Sequence, residues 1–175
     1  SLLASLVFLV SIAMILYLAV MDRMELTTSI VLSVSMMLSC ITFYTAIRSN
    51  FNLRFKEPAL TMPQILVAMT WICIAYASTG LAHTATLMLF ALVMVFGIFV
   101  MNPRSMKIAA SYGVVLMALT MIYKVVTEPS IYIWDIELVT FGLFVTVMPT
   151  IASLSEQLTR MRNRLKEQKT ELEKA

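Results

Sequence analysis

Residues 137–175 read ELVTFGLFVTVMPTIASLSEQLTRMRNRLKEQKTELEKA. Up to residue 155 the run is apolar and about as long as a bilayer core is thick. Beyond it polar residues take over, yet apolar ones return at a fixed interval. From Ile151 they are Leu154, Leu158, Met161, Leu165 and Leu172, with Gln168 completing the series. Spacings of three and four alternate. That is a heptad repeat, with Ile151, Leu158, Leu165 and Leu172 at a and Leu154, Met161 and Gln168 at d. No glycine or loop separates the repeat from the apolar run, so the two are predicted to form one helix. The expected fold is an all-α membrane protein: a six-transmembrane-helix bundle (1–153) continuing into a parallel coiled coil (154–175).

The coil is predicted to be weak. Gln168 makes a polar layer, and in a parallel dimer Arg164 at g faces Lys169 at the partner's e position. A nearly balanced coil suits a switch, because a small input then shifts its population. The same basic residues also suit a place beside anionic lipid. Pro149, one turn before the coil, removes a backbone donor. It reads either as a hinge between bundle and stalk or as a kink that packing requires.

The rest of the chain carries the same membrane signature. Of its 175 residues, 60% are apolar and 13% charged, with a mean hydropathy of +0.88. Soluble domains are about 25% charged. Fifteen methionines and only four glycines favour helices, and the runs are too long and uniform for barrel strands, which alternate. Cys40 and Cys73 fall inside apolar runs with no CxxC or Cys/His pairing and read as small core residues.

Six near-spanning stretches can be marked: 2–20, 28–47, 62–80, 83–101, 106–126 and 137–155. The first has no basic n-region and no small-residue cleavage site after Val20, so it reads as a retained helix rather than a signal peptide. Arg48, Arg54, Lys56, Arg104, Lys107, Arg160, Arg162, Arg164, Lys166, Lys169 and Lys174 fall on one side of the spans, eleven of the thirteen Lys and Arg. Arg23 and Lys124 fall on the other. The positive-inside rule then puts both termini in the cytoplasm. The outer links carry Asp22, Glu25, Glu128, Asp135 and Glu137.

No charged residue lies near the middle of a span, and no pair of Gly/Pro-broken half-helices is present. Both count against a pump or ion-coupled transporter. Ser35, Ser39 and Thr42 share one face of span two, and Thr70, Cys73, Ala77 and Gly80 one face of span three. Small polar faces fit close helix packing or a polar cavity lining. The methionines are scattered without an MxxxM repeat, which fits gap-filling or lipid contact rather than Cu(I).

His83, the single histidine, sits at the outer start of span four, as an interfacial polar residue or as a pH or ligand contact. Tyr17, Tyr123, Tyr132 and Trp134 fit an interfacial aromatic belt. These aromatics, His83, Lys124 and the five outer carboxylates could also converge on an outer pocket for a small hydrophobic or amphipathic ligand, with Tyr17, His83, Tyr123, Lys124, Trp134 and Asp135 as its candidate residues. No metal site, phosphate loop or nucleophile–base pair is visible, so no catalytic residue is expected.

The tail, Leu154-Ser155-Glu156-Gln157-Leu158 through Thr170-Glu171-Leu172-Glu173-Lys174-Ala175, resembles the linker that precedes GGDEF diguanylate cyclase domains in bacterial receptors. The part before it resembles the membrane-associated sensor (MASE-type) domains of such receptors, and Leu53-Arg54-Phe55-Lys56-Glu57-Pro58-Ala59-Leu60 adds a family-like stretch with no assigned role. The resemblance implies a homodimeric sensor in the bacterial inner membrane, in contact with the lipid bilayer and not with nucleic acid. Its output would be cyclic di-GMP synthesis by a further domain, and GTP and Mg would belong to that domain only. Related layouts precede histidine kinases and class III adenylyl cyclases. A transporter or channel subunit, and a passive dimeric membrane anchor, are the readings from other classes.

Overall fold

The computed structural model describes residues 2–49 and 60–174, with side chains over 8–49 and 60–171. The second link (50–59, with Arg54, Lys56, Glu57 and Pro58) and most of the stretch Leu53–Leu60 lie outside the described residues, as do the side chains of Leu172 and Lys174. Six helices follow in order: α1 Leu2–Val20, α2 Leu26–Arg48, α3 Thr61–Ser78, α4 His83–Val100, α5 Pro103–Thr127 and α6 Trp134–Lys174. Five of them, α2 to α6, are long and apolar enough to cross a membrane, and α1 is apolar over Phe8–Val20.

Helices are what such a sequence must form, because lipid offers no partner for a free backbone N–H or C=O. The prolines respect this. Pro103 is the first residue of α5 and Pro63 lies in the first turn of α3, where the missing N–H has no helical acceptor to lose. Many hydroxyls inside the apolar runs bond to the carbonyl four residues back. Ser35, Ser39, Thr42, Thr70, Thr120, Thr146 and Thr150 all do so.

Helices α3 to α6 pack on one another as the core, while α1 and α2 pair mainly with each other and touch α4 and α3 more lightly. Trp71 Nε1 donates to Ser39 Oγ at 3.0 Å and ties α2 to α3. Gly113 lets α5 approach closely, since a Cβ there would lie 3.2 Å from Phe90 Cε1 and 3.3 Å from Met69 Sδ. Met69, Met94, Met106, Met117 and Met148 are fully buried, so methionine fills the centre. Cys40 and Cys73 are free thiols. Exposed apolar side chains such as Leu9, Val31, Met88, Val115 and Leu143 face outward, where lipid would cover them.

Helix α6 runs 41 residues without a break, passing through Pro149. Its inward stripe of Phe144, Met148, Ala152 and Ser155 is buried. Ile151 and Leu158, two of the four a positions, pack against this chain's own core. Leu154, Met161 and Leu165 are exposed, as is Gln168. From Arg160 to Glu171 every side chain is exposed, so the stalk leaves the bundle at Arg160.

Candidate functional site

The links α1–α2, α3–α4 and α5–α6 share one end of the bundle, here called distal, and the stalk leaves from the other. The distal link between α3 and α4 is very short. Gly80 adopts φ +53°, a left-handed conformation that costs glycine nothing, and a single 3₁₀ turn, Gly80–Ala82, then leads into α4. This tight reversal sets Tyr76, near the end of α3, beside His83, the first residue of α4.

Glu137 arrives from the first turn of α6, where a carboxylate also favours the helix N-terminus. Its Oε1 lies 2.8 Å from His83 Nε2, and its Oε2 accepts from the Tyr76 hydroxyl. His83 Nδ1 is 2.6 Å from the Gly80 carbonyl. Tyr132, from the α5–α6 link, donates to the Tyr76 carbonyl at 2.9 Å and lays its ring 4.5 Å from the His83 ring. Lys124 Nζ sits 5.1 Å from the Tyr132 ring centroid and pairs with Glu128. Tyr76 and Tyr132 have no exposure, and Glu137, His83 and Lys124 are 3%, 7% and 7% exposed. Burial first, then the carboxylates of Glu128 and Glu137, push the Tyr132 phenol up to about 12, so it remains a donor.

Counting protons fixes what the pair can do. The Gly80 carbonyl only accepts, so Nδ1 of His83 carries a hydrogen. One further proton is then shared between His83 Nε2 and Glu137 Oε1. It sits on nitrogen as an imidazolium–carboxylate, or on oxygen as an imidazole–carboxylic acid. Both forms have zero net charge and the same number of hydrogen bonds. Either one avoids the heavy cost of a lone buried charge.

Of the residues singled out as an outer pocket, the structure brings His83 and Lys124 together, through Tyr132. Tyr17, Tyr123 and Trp134 are 58%, 64% and 56% exposed, and Asp135 also faces outward. Of the five outer carboxylates, Glu137 is the one at the centre of the cluster. Tyr76 is the residue that sequence reasoning missed, and Tyr132 and Glu137 were legible only as one of the outer aromatics and one of five outer carboxylates. A helical signal for Tyr76 and Glu137 existed. Glu137 extends the stripe Phe144, Met148, Ala152 backwards, and Tyr76 extends Met69, Ile72, Cys73 forwards.

A groove of about 200 Å³ runs beside the cluster between α5 and α6, lined by Met121, Val125, Trp134, Glu137, Leu138 and Phe141. Among the described residues no group of three His, Cys, Asp or Glu is placed to hold a metal. No family model matches the chain, and no match is found among curated proteins or solved structures.

Proposed function

We propose that this chain is a membrane-embedded input module. Six spans hold a buried polar cluster at the distal end, and α6 carries its state to a cytoplasmic catalytic domain. The observation that carries this reading is the continuity of α6. One helix of 41 residues holds Glu137 at one end and the exposed stalk at the other, with no loop to absorb a change between them. A shift in the His83–Glu137 proton, or a ligand in the adjoining groove, would act on the first turn of that rod.

The resemblance to MASE-type domains supports a diguanylate cyclase as the output, with GTP and Mg bound there, and a histidine kinase or class III adenylyl cyclase as related outputs. The exposed Leu154, Met161 and Leu165 support a parallel homodimeric coiled coil beyond the bundle. The sidedness of Lys and Arg supports a multi-pass protein of the bacterial inner membrane with both ends cytoplasmic.

The test joins the chain to a diguanylate cyclase domain and inserts one to seven residues after Arg160, where the stalk is free of the bundle. Output is expected to vary with the heptad and to return at seven. A flat response to insertion length sinks the proposal. In a second arm, replacing the spans by an inert dimeric anchor should abolish any dependence on pH or added ligand. Unchanged regulation would make the bundle a passive anchor.

A further inference from the structure

A second cavity lies at the stalk end of the bundle, away from the distal cluster. It is about 600 Å³ and is lined by Lys107, Ser111 and Val115 from α5 and by Val145, Pro149 and Ser153 from α6, among others. Another cavity, walled by Asn102, Arg104 and Ser105, shares Lys107 and Glu156 with it.

Three features set this groove apart from a lipid-facing seam. First, the threonines Thr120, Thr146, Thr150 and Thr159 of these helices bond to the carbonyl four residues back, whereas Ser111 and Ser153, on facing walls, have no hydrogen-bond partner among the described residues, as the buried Ser155 beside them has none. Second, Pro149 has no N–H, so the Val145 carbonyl on the same wall loses its helical donor. Third, the rim is basic. Lys107 pairs with Glu156 at 2.7 Å and Arg160 reaches the same carboxylate at 2.6 Å, while Arg104 stands alongside without an ion pair among the described residues. Three cations around one carboxylate leave an excess of two positive charges. Lys107, with three donors and one used, keeps two to give.

The geometry points to a binding site for an anionic phospholipid, with its phosphate between Arg104 and Lys107 and an acyl chain along Val114, Val115 and Val145. The distance from Lys107 to Val115 is about 12 Å along the helix, which takes a chain from the headgroup level into the hydrocarbon. The glycerol or headgroup hydroxyls meet Ser111, Ser153 and the freed Val145 carbonyl. Basic pockets between helices at the cytoplasmic face are suited to such headgroups. The site stands whether or not the chain signals. If it does signal, lipid would bind where α6 passes from bundle to stalk.

The experiment is native mass spectrometry of the full chain released from nanodiscs of phosphatidylglycerol and phosphatidylcholine, equimolar. One retained phosphatidylglycerol per protomer is expected. Neutralising one cation should lower its retention about five-fold, and R104Q with K107Q about 25-fold. R164Q with K166Q, on the free stalk, should leave it unchanged. S111F, which fills the groove and keeps every charge, should also abolish retention. Equal retention of both lipids overturns the site. So does equal loss in the rim and stalk variants, which would mark a diffuse charge effect, or full retention in S111F.

Discussion

Replacing Glu137 separates two consequences of the distal cluster. In Glu137→Leu, the Tyr76 hydroxyl and His83 Nε2 both lose their partner inside a site closed to water. Each orphaned buried group costs about 1–3 kcal/mol, so the loss is about 2–6 kcal/mol. Glu137→Gln behaves differently. Its carbonyl accepts from Tyr76 and its amide donates to Nε2 of a neutral imidazole, while Nδ1–H keeps Gly80. Every bond is kept, and the loss is about 1 kcal/mol from exchanging charge-assisted for neutral hydrogen bonds. Unfolding in mixed detergent micelles, followed by circular dichroism, measures both. The chain has one histidine, so ¹⁵N-histidine labelling gives a single pair of ring signals. In the Gln variant these should report a neutral ring protonated at Nδ1. Equal stability of the Leu and Gln variants, or an Nε2–H tautomer in Gln, would refute the proton count.

Tyr132→Phe should cost about 1–3 kcal/mol by orphaning the Tyr76 carbonyl. The raised phenol favours the neutral form in the folded state, so its contribution is complete below pH about 10 and disappears as pH climbs to about 12; stability curves of the Phe variant should lack that alkaline limb. Gly113→Val drives a side chain into Phe90 and Met69 and should destabilise by about 1–3 kcal/mol, read by the same unfolding assay. Met161→Cys should form a disulfide between two copies in membranes, and Asn163→Cys, at the outward f position, should not; equal cross-linking at both would remove the heptad seam.

The helices, and the continuity of span six with the stalk, were legible because lipid leaves a long apolar run one backbone solution. The cluster was only half legible. His83 drew notice as a lone titratable group, and Lys124 as one of two cations on its side. Charge alone reads Glu137 as one of five outer carboxylates, although its register with Phe144 and Met148 singles it out on the buried stripe. Tyr76 was hidden because a tyrosine near a helix end fits an aromatic belt equally well. What joins them is the three-residue reversal at Gly80, and no periodicity within one helix encodes which neighbour that turn presents. The heptad is a pattern of the sequence, yet within one chain Ile151 and Leu158 are used by its own core. A seam repeating every seven residues carries no mark of where one partner gives way to another.

The methionines bear on how α6 can move at all. Cores of branched residues fit in one arrangement, so displacing a helix breaks many contacts together. Met94, Met106, Met117 and Met148 come from the three helices α4, α5 and α6 and are fully buried. Unbranched thioether chains refill a shifted gap by rotating χ angles. If α6 carries a signal as proposed, such an interior would act as a soft gasket, yielding to a change of its tilt at lower cost than a core of branched side chains. Met117→Leu with Met148→Leu conserves volume and should leave stability within about 1.5 kcal/mol. The same pair should narrow the spread of spin-label distances between α5 and the stalk base, because the packing has lost its play.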